Sequence, residues 1–131
     1  MGYTILIVDD SETIRSVLER ALEMTKLPIE VVMQAANGKQ ALEMLRTRWV
    51  DIVFTDIHMP ELDGIGLIDT MNADPELSEI PVVIVSTEGS ATRIAELRTK
   101  GIKGYLRKPF TPERIRDIII QTLGAWDDTQ D

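Results

Sequence analysis

The sequence ILIVDD at residues 5–10 joins a short apolar run directly to two carboxylates. Four apolar residues with no polar residue among them are typical of a strand buried on both faces of a parallel sheet. In an open parallel sheet, ligands bind beyond the carboxyl ends of the strands, where the strand order reverses. We therefore predict a parallel α/β domain with a binding site near Asp9 and Asp10.

The same pattern of an apolar run ending at a polar side chain recurs three times. The further pairs are Ile52–Phe54 with Asp56, Val82–Val85 with Ser86, and Gly104–Leu106 with Lys108. We expect these three carboxylates, one hydroxyl and one ammonium to converge on a single edge of the sheet. Clustered carboxylates repel each other, so the cluster implies a bound divalent cation or a strongly perturbed pKa. The pattern indicates phosphate chemistry assisted by a metal ion.

Helical apolar spacing separates the strand-like runs. Three predicted helices begin after Ser11, after Asn37–Gly38 and after Thr111. The other two predicted helices run from Gly64 to Met71 and from Ala91 to Lys100. The apolar run Ile29–Met33 is predicted to be a fifth strand. Five strands alternating with five helices predict a three-layer sandwich around a five-stranded parallel sheet with right-handed crossovers. We expect one domain over residues 1–124 and an acidic C-terminal tail over residues 125–131.

Composition narrows the function classes. The net charge of −8 argues against a sequence-independent nucleic-acid binder, which presents a basic face, and favours a monomer. No run reaches the ~18 apolar residues of a membrane span, and no export signal precedes the first strand. The absence of cysteine fits a reducing compartment. We expect a cytoplasmic protein with neither a nucleic-acid nor a membrane partner.

Four motifs together resemble the receiver domain of bacterial two-component response regulators. They are Val8–Asp9–Asp10, Thr55–Asp56–Ile57–His58–Met59–Pro60, Val85–Ser86 and Lys108–Pro109–Phe110. Each motif alone is weak evidence, whereas their shared order and spacing across roughly residues 3–124 are specific. The resemblance implies a flavodoxin-like fold with strand order 2-1-3-4-5. It also implies that Asp56 accepts a phosphoryl group from a histidine kinase.

Residue chemistry and the resemblance together predict a role for each residue of the site. Asp56 is the expected nucleophile, forming an aspartyl phosphate. Mg²⁺ is the expected cofactor, because a hard octahedral ion bound through oxygen can bridge a carboxylate and a phosphoryl group. Asp10 is the expected direct ligand, and Asp9 helps directly or through water. By resemblance, the backbone carbonyl of His58 supplies another ligand.

Two further side chains are expected to contact the phosphoryl group. Lys108 pairs with one of its oxygens, and the hydroxyl of Ser86 donates a hydrogen bond to another. By resemblance, Tyr105 is a switch aromatic that turns inward when Ser86 moves toward the phosphoryl group. The family's output surface, formed by the fourth helix, fifth strand and fifth helix, then spans about Ala91 to Gln121.

His58 and Glu88 are candidates for tuning the lifetime of the aspartyl phosphate. His58 is the only histidine and follows the phosphoacceptor by two residues, which points its side chain toward the mouth of the pocket. An imidazole there can make the lifetime depend on pH. The alternative is a surface histidine that takes no part.

Simpler interpretations exist for the single motifs. Asp9–Asp10 can be a charge pair at a helix N-terminus with Ser11 as its cap. Ser86 and Lys108 can be a cap and a surface charge, and Tyr105 an ordinary aromatic at the sheet edge. The cis state of the Lys108–Pro109 bond rests on resemblance alone, since most X–Pro bonds are trans.

Within the family, the length of the chain and the residues Glu88, Tyr105 and Lys108–Thr111 look most like chemotaxis regulators. The expected function is a single-domain signalling switch that controls a protein partner, such as a flagellar motor switch protein, with only weak self-catalysis. Alternatives are a phosphorelay intermediate and a phosphorylation-independent adaptor. A haloacid-dehalogenase-type phosphatase is a further rival, but His58 replaces its second acid and no cap insertion is evident.

Overall fold

The computed structural model describes residues 2–87 and 89–124. Its strands are β1 (Tyr3–Val8), β2 (Ile29–Ala35), β3 (Ile52–Thr55), β4 (Val82–Ser86) and β5 (Gly104–Arg107). Its helices are α1 (Glu12–Met24), α2 (Gly38–Leu45), α3 (Gly64–Ala73), α4 (Ala91–Thr99) and α5 (Pro112–Leu123). Within these ranges no helix has the length and apolar character needed to cross a membrane. The predicted C-terminal tail, residues 125–131, lies outside the described residues.

The five strands form one sheet in the order β2-β1-β3-β4-β5, and every neighbouring pair is parallel. The first strand, β1, pairs on one side with the edge strand β2. The chain then returns to the other side of β1, where β3, β4 and β5 follow in order. This reversal lies between β1 and β3, the position at which an open α/β sheet forms a crevice. The predicted flavodoxin-like order and the alternation of five strands with five helices are confirmed.

The strands extend one or two residues further than their apolar runs. β2 continues to Ala35, and β4 and β5 include Ser86 and Arg107, which pair with each other in the ladder. The parallel ladder needs only backbone groups, so a polar side chain at the strand end does not stop it. Ser86 therefore belongs to β4 and does not follow it.

Two helix ends also differ from prediction. α3 runs on to Ala73, two residues beyond Met71, and alanine is the residue with the highest helix propensity. α4 ends at Thr99, and Lys100 is its C-cap. Gly101 follows with a φ of 92°, a left-handed conformation that glycine adopts without strain.

Two apolar clusters cover the faces of the sheet. Alternate residues of β1 point to opposite sides, with Leu6 and Val8 in the cluster under α2, α3 and α4. Ile5 and Ile7 lie in the cluster under α1 and α5. The sheet is buried on both faces, which is why its central strands read as continuous apolar runs.

Each helix begins at a side chain that accepts a hydrogen bond from its first turn. The caps are Ser11, Asn37, Asp63, Ser90 and Thr111. They satisfy amide groups that have no partner inside the helix. The helix starts predicted after Ser11 and Thr111 are confirmed.

Gly64 allows α3 to begin directly against the residue that follows β3. A β-carbon at this position would lie 2.2 Å from the carbonyl oxygen of Asp56, so a side chain would displace backbone. The amide of Gly64 also donates to the carbonyl of Ile57 at 2.8 Å. The start of α3 therefore packs directly against the backbone of Asp56 and Ile57 at the end of β3.

Candidate functional site

Three carboxylates meet at the carboxyl edge of the central strands. Asp9, Asp10 and Asp56 each place one carboxylate oxygen within 4.8 Å of the others. Val8 and Thr55 are in register in the β1–β3 ladder, so the residues after them become neighbours. The predicted convergence of these side chains is confirmed.

The carboxylates of Asp9 and Asp56 are each held on both oxygens. Asp9 is buried, and its Oδ1 accepts a hydrogen bond from the amide of Ser11 at 2.9 Å. Asp56 accepts from the amide of Ile57 at 2.6 Å on Oδ1. The remaining oxygens face Lys108, whose Nζ lies 3.1 Å from Asp9 Oδ2 and 3.2 Å from Asp56 Oδ2. Their geometry is therefore fixed from two sides.

Asp10 differs from its two neighbours because it is exposed. Among the described residues, none donates a hydrogen bond to its carboxylate. Asp10 therefore offers free oxygen ligands toward the solvent side of the cluster.

Lys108 is the cation of the site. Its side chain is only 14% exposed. Burial lowers the pKa of this ammonium, but the hydrogen bond to Asp9 and the charges of Asp56 and Asp9 outweigh burial and raise the pKa above its ordinary value. Lys108 is thus positively charged at neutral pH. Three carboxylates against one ammonium leave two negative charges in excess, which suits a divalent cation.

The donor set fits Mg²⁺. Carboxylate and carbonyl oxygens are the ligands that this hard ion prefers, and it usually takes only one or two carboxylates from a protein. The cluster of Asp9, Asp10 and Asp56 provides these ligands. His58 lies two residues after Asp56, its side chain is exposed, and none of the described residues donates a hydrogen bond to its carbonyl.

Ser86 and Tyr105 lie on the two strands beside the carboxylate cluster. Ser86 is buried at the end of β4, and its carbonyl accepts from the amide of Lys108 at 2.9 Å. Tyr105 is half-buried against the cluster under α2, α3 and α4. Its hydroxyl is buried and has no hydrogen-bond partner among the described residues. The ring is therefore turned inward.

The remaining predicted features have mixed outcomes. The Lys108–Pro109 bond is cis, as the resemblance implied. Glu88 lies outside the described residues. Ile120, which lies within the predicted output surface, is half-buried.

Arg15 is a site residue that the sequence patterns did not single out. Its Nη1 donates to the backbone carbonyl of Asp9 at 2.6 Å. The available signal was its position one helical turn after the cap Ser11, which places it on the same side of α1. Spacing alone does not say which carbonyl an arginine reaches.

Comparisons with known proteins agree with this geometry. Residues 5–120 match the response regulator receiver domain family. The chain is 36% identical to the chemotaxis protein CheY-3 of Vibrio cholerae, over 86% of this chain and 85% of that protein. It is 33% identical to the chemotaxis protein CheY1 of Helicobacter pylori, over 94% of this chain and 98% of that protein.

A solved structure has the same fold. The chemotaxis protein CheY4 of Vibrio cholerae superimposes with a TM-score of 0.82 at 27% identity, over 94% of this chain and all of that one. The family match covers residues 5–8 of β1, the other four strands in full and most of α5. The chain belongs to the response regulator receiver domain family.

Proposed function

We propose that the protein is a signalling switch in which Asp56 accepts a phosphoryl group from a histidine kinase in a Mg²⁺-dependent reaction. The observation that carries this proposal is the convergence of Asp9, Asp10 and Asp56 within 4.8 Å, with one ammonium between two of them. Receiver domains act as phosphoacceptors and bind Mg²⁺ at an acidic pocket, and this chain belongs to that family. The protein is a signalling phosphoacceptor with only weak self-catalysis.

Asp56 is the nucleophile in this proposal. One of its carboxylate oxygens attacks phosphorus, the bond from phosphorus to the histidine nitrogen of the kinase breaks, and the imidazole leaves with the electron pair. The amide of Ile57 fixes one oxygen of Asp56 at 2.6 Å, which limits the directions of attack. When bound, Mg²⁺ would supply positive charge that offsets the negative charge of the carboxylates and of the phosphoryl group. Asp10, Asp9, Asp56 and the carbonyl of His58 would hold it.

Lys108 and Ser86 contact the phosphoryl group once it is attached to Asp56. The ammonium of Lys108 already lies 3.2 Å from Asp56 Oδ2, so it can pair with a phosphoryl oxygen after a short movement. The hydroxyl of Ser86 donates to a second oxygen. The amide of Lys108 donates to the carbonyl of Ser86 at 2.9 Å, so the backbones of the two residues are held together.

The output of the switch passes through Tyr105. Movement of Ser86 changes the space beside the ring, and Tyr105 lies on β5 between α4 and α5. The surface of α4, β5 and α5, from about Ala91 to Gln121, then presents a changed face to a protein partner. The relatives are chemotaxis proteins, so we propose a role in chemotaxis with a flagellar motor switch protein as the target.

Membership of the receiver family decides against a haloacid-dehalogenase-type phosphatase. A phosphorylation-independent adaptor and a phosphorelay intermediate share the fold and differ in what happens at Asp56. The first would not be phosphorylated, and the second would pass its phosphoryl group to another histidine.

Acetyl phosphate should phosphorylate the protein only when Mg²⁺ is present. We expect mass spectrometry to show one added phosphoryl group on the peptide containing Asp56, and none for Asp56→Asn or after chelation of the metal. Asp51→Asn is a control outside the cluster and should be phosphorylated like the wild type. An unphosphorylated wild-type protein would support the adaptor, and labelling that survives in Asp56→Asn would refute the assigned nucleophile.

Replacing Lys108 with Met should slow phosphorylation by acetyl phosphate by about 100-fold, because it removes the charge that faces the transferred group. We also expect the free energy of unfolding without metal to fall by about 2 kcal/mol, since Asp9 and Asp56 lose a charged hydrogen-bond donor. The raised pKa means that this stabilisation persists up to the pKa of lysine in the unfolded chain. It disappears as the pH rises through the higher pKa of the folded state.

Lys100→Met is the matched control for Lys108, because it removes an exposed ion pair with Asp69. This change should cost less than about 1 kcal/mol. Urea unfolding at neutral and alkaline pH measures both variants. Equal stability of the two variants at neutral pH, together with wild-type phosphorylation of Lys108→Met, would contradict the assigned role.

We propose that the exposed side chain of His58, two residues from Asp56, limits the access of water to the site, so replacing His58 with Ala should speed loss of the phosphoryl group several-fold. The variant keeps its backbone carbonyl, so its Mg²⁺ affinity should not change and serves as an internal control. Gel separation of phosphorylated protein after removal of acetyl phosphate measures the rate. An unchanged rate would show that the side chain takes no part.

A further inference from the structure

The side chain of Arg15 joins three elements beside the carboxylate cluster. From α1, its Nη1 donates to the carbonyl of Asp9 at 2.6 Å, and its Nε donates to Oε1 of Gln34 on β2 at 3.0 Å. Gln34 in turn donates from Nε2 to Oε1 of Glu19 on α1 at 3.1 Å. Arg15 is half-buried, and this chain of contacts holds its guanidinium in one orientation.

The carbonyl that Arg15 holds belongs to the peptide between Asp9 and Asp10. The side chain of Asp9 is fixed by Ser11 and Lys108, whereas the carboxylate of Asp10 accepts no hydrogen bond from any residue in the described ranges. The direction of Asp10 therefore depends on its backbone. The Asp9 amide donates to the carbonyl of Ala35 and the Ser11 amide to Asp9 Oδ1, and Arg15 holds the carbonyl between them where the chain leaves β1.

We propose that Arg15 is a positioning residue for the divalent-cation site: by holding the Asp9–Asp10 peptide, it keeps the carboxylate of Asp10 directed toward Asp56. The inference rests on the proposed function, because it assigns Mg²⁺ to the carboxylate cluster. Partners of this kind, one step removed from a metal, orient its ligands and raise its affinity.

Positioning and charge predict opposite effects on metal affinity. If Arg15 acted only through its positive charge, its removal would make the cluster more negative and tighten Mg²⁺ binding. If it positions Asp10, its removal weakens binding, because a free ligand must be ordered at the moment of binding. A residue needed only for folding would change stability and leave the affinity of the folded protein unaltered.

Calorimetric titration of the metal-free protein with Mg²⁺ alone distinguishes these cases. We expect Arg15→Met to weaken binding roughly tenfold. Arg15→Lys should recover most of the affinity, because an ammonium can still donate to the carbonyl of Asp9. Gln34→Leu keeps the positive charge but frees the guanidinium, so it should weaken binding by a smaller factor, about threefold. Arg20→Met removes an exposed cation from the same helix and should leave binding within twofold of wild type.

A second readout needs no metal. In amide NMR spectra of the metal-free protein, Arg15→Met and Gln34→Leu should both move the Asp10 signal more than Arg20→Met does. If Arg15→Met fails to fold, Gln34→Leu carries both tests.

Equal or tighter Mg²⁺ binding by Arg15→Met and Gln34→Leu, alongside normal binding by the wild type, would overturn the role of Arg15 alone. An unmoved Asp10 signal in both variants would do the same. A wild-type protein that binds no Mg²⁺ would overturn the proposed function, and the positioning role with it.

Discussion

The Lys108 ammonium lies between the carboxylates of Asp9 and Asp56, 3.1 and 3.2 Å from their nearest oxygens. These partners follow β1 and β3, Lys108 follows β5, and its amide is bonded to Ser86 at the end of β4. The charge of Lys108 therefore links the ends of β1, β3 and β5, and its backbone amide adds the end of β4. The single positive charge of Lys108 is smaller than the summed negative charge of the three carboxylates. The site therefore keeps an excess of negative charge that a divalent cation can offset. In the proposed function, phosphorylation of Asp56 would change that balance at the point where the strands meet.

The same geometry gives the proposed chemistry at Asp56 a route to a distant surface. Asp56 is held by its own loop amide and by Lys108, so a phosphoryl group placed on it must displace or recruit Lys108. Lys108 and Ser86 share a backbone hydrogen bond, and Tyr105 lies on β5, three residues before Lys108. The buried hydroxyl of Tyr105, which has no partner among the described residues, can exchange this environment for another at little cost.

The fold and the convergence of the carboxylates were predictable because both follow from a simple rule. Continuous apolar runs require a sheet buried on both faces, and parallel strands end at one edge, so Asp9 and Asp56 had to be neighbours. The contact between Arg15 and Asp9 was not predictable, since the reach of a long side chain depends on how α1 sits on β2. The burial of Asp9 beside an exposed Asp10 also depends on tertiary packing, because the two residues are chemically identical in sequence.

The most direct test of this account is to follow the backbone amides by NMR while beryllofluoride, which mimics a phosphoryl group, is added with Mg²⁺. The account predicts that signals of Ser86, Tyr105 and α4 change together with that of Asp56. The indole N–H of Trp49 donates a hydrogen bond to Asp51, which precedes β3 at the end opposite to Asp56, and its signal should not shift. Changes confined to Asp9, Asp10, Asp56 and their immediate neighbours would contradict the claim that the charge at this pocket controls the output surface.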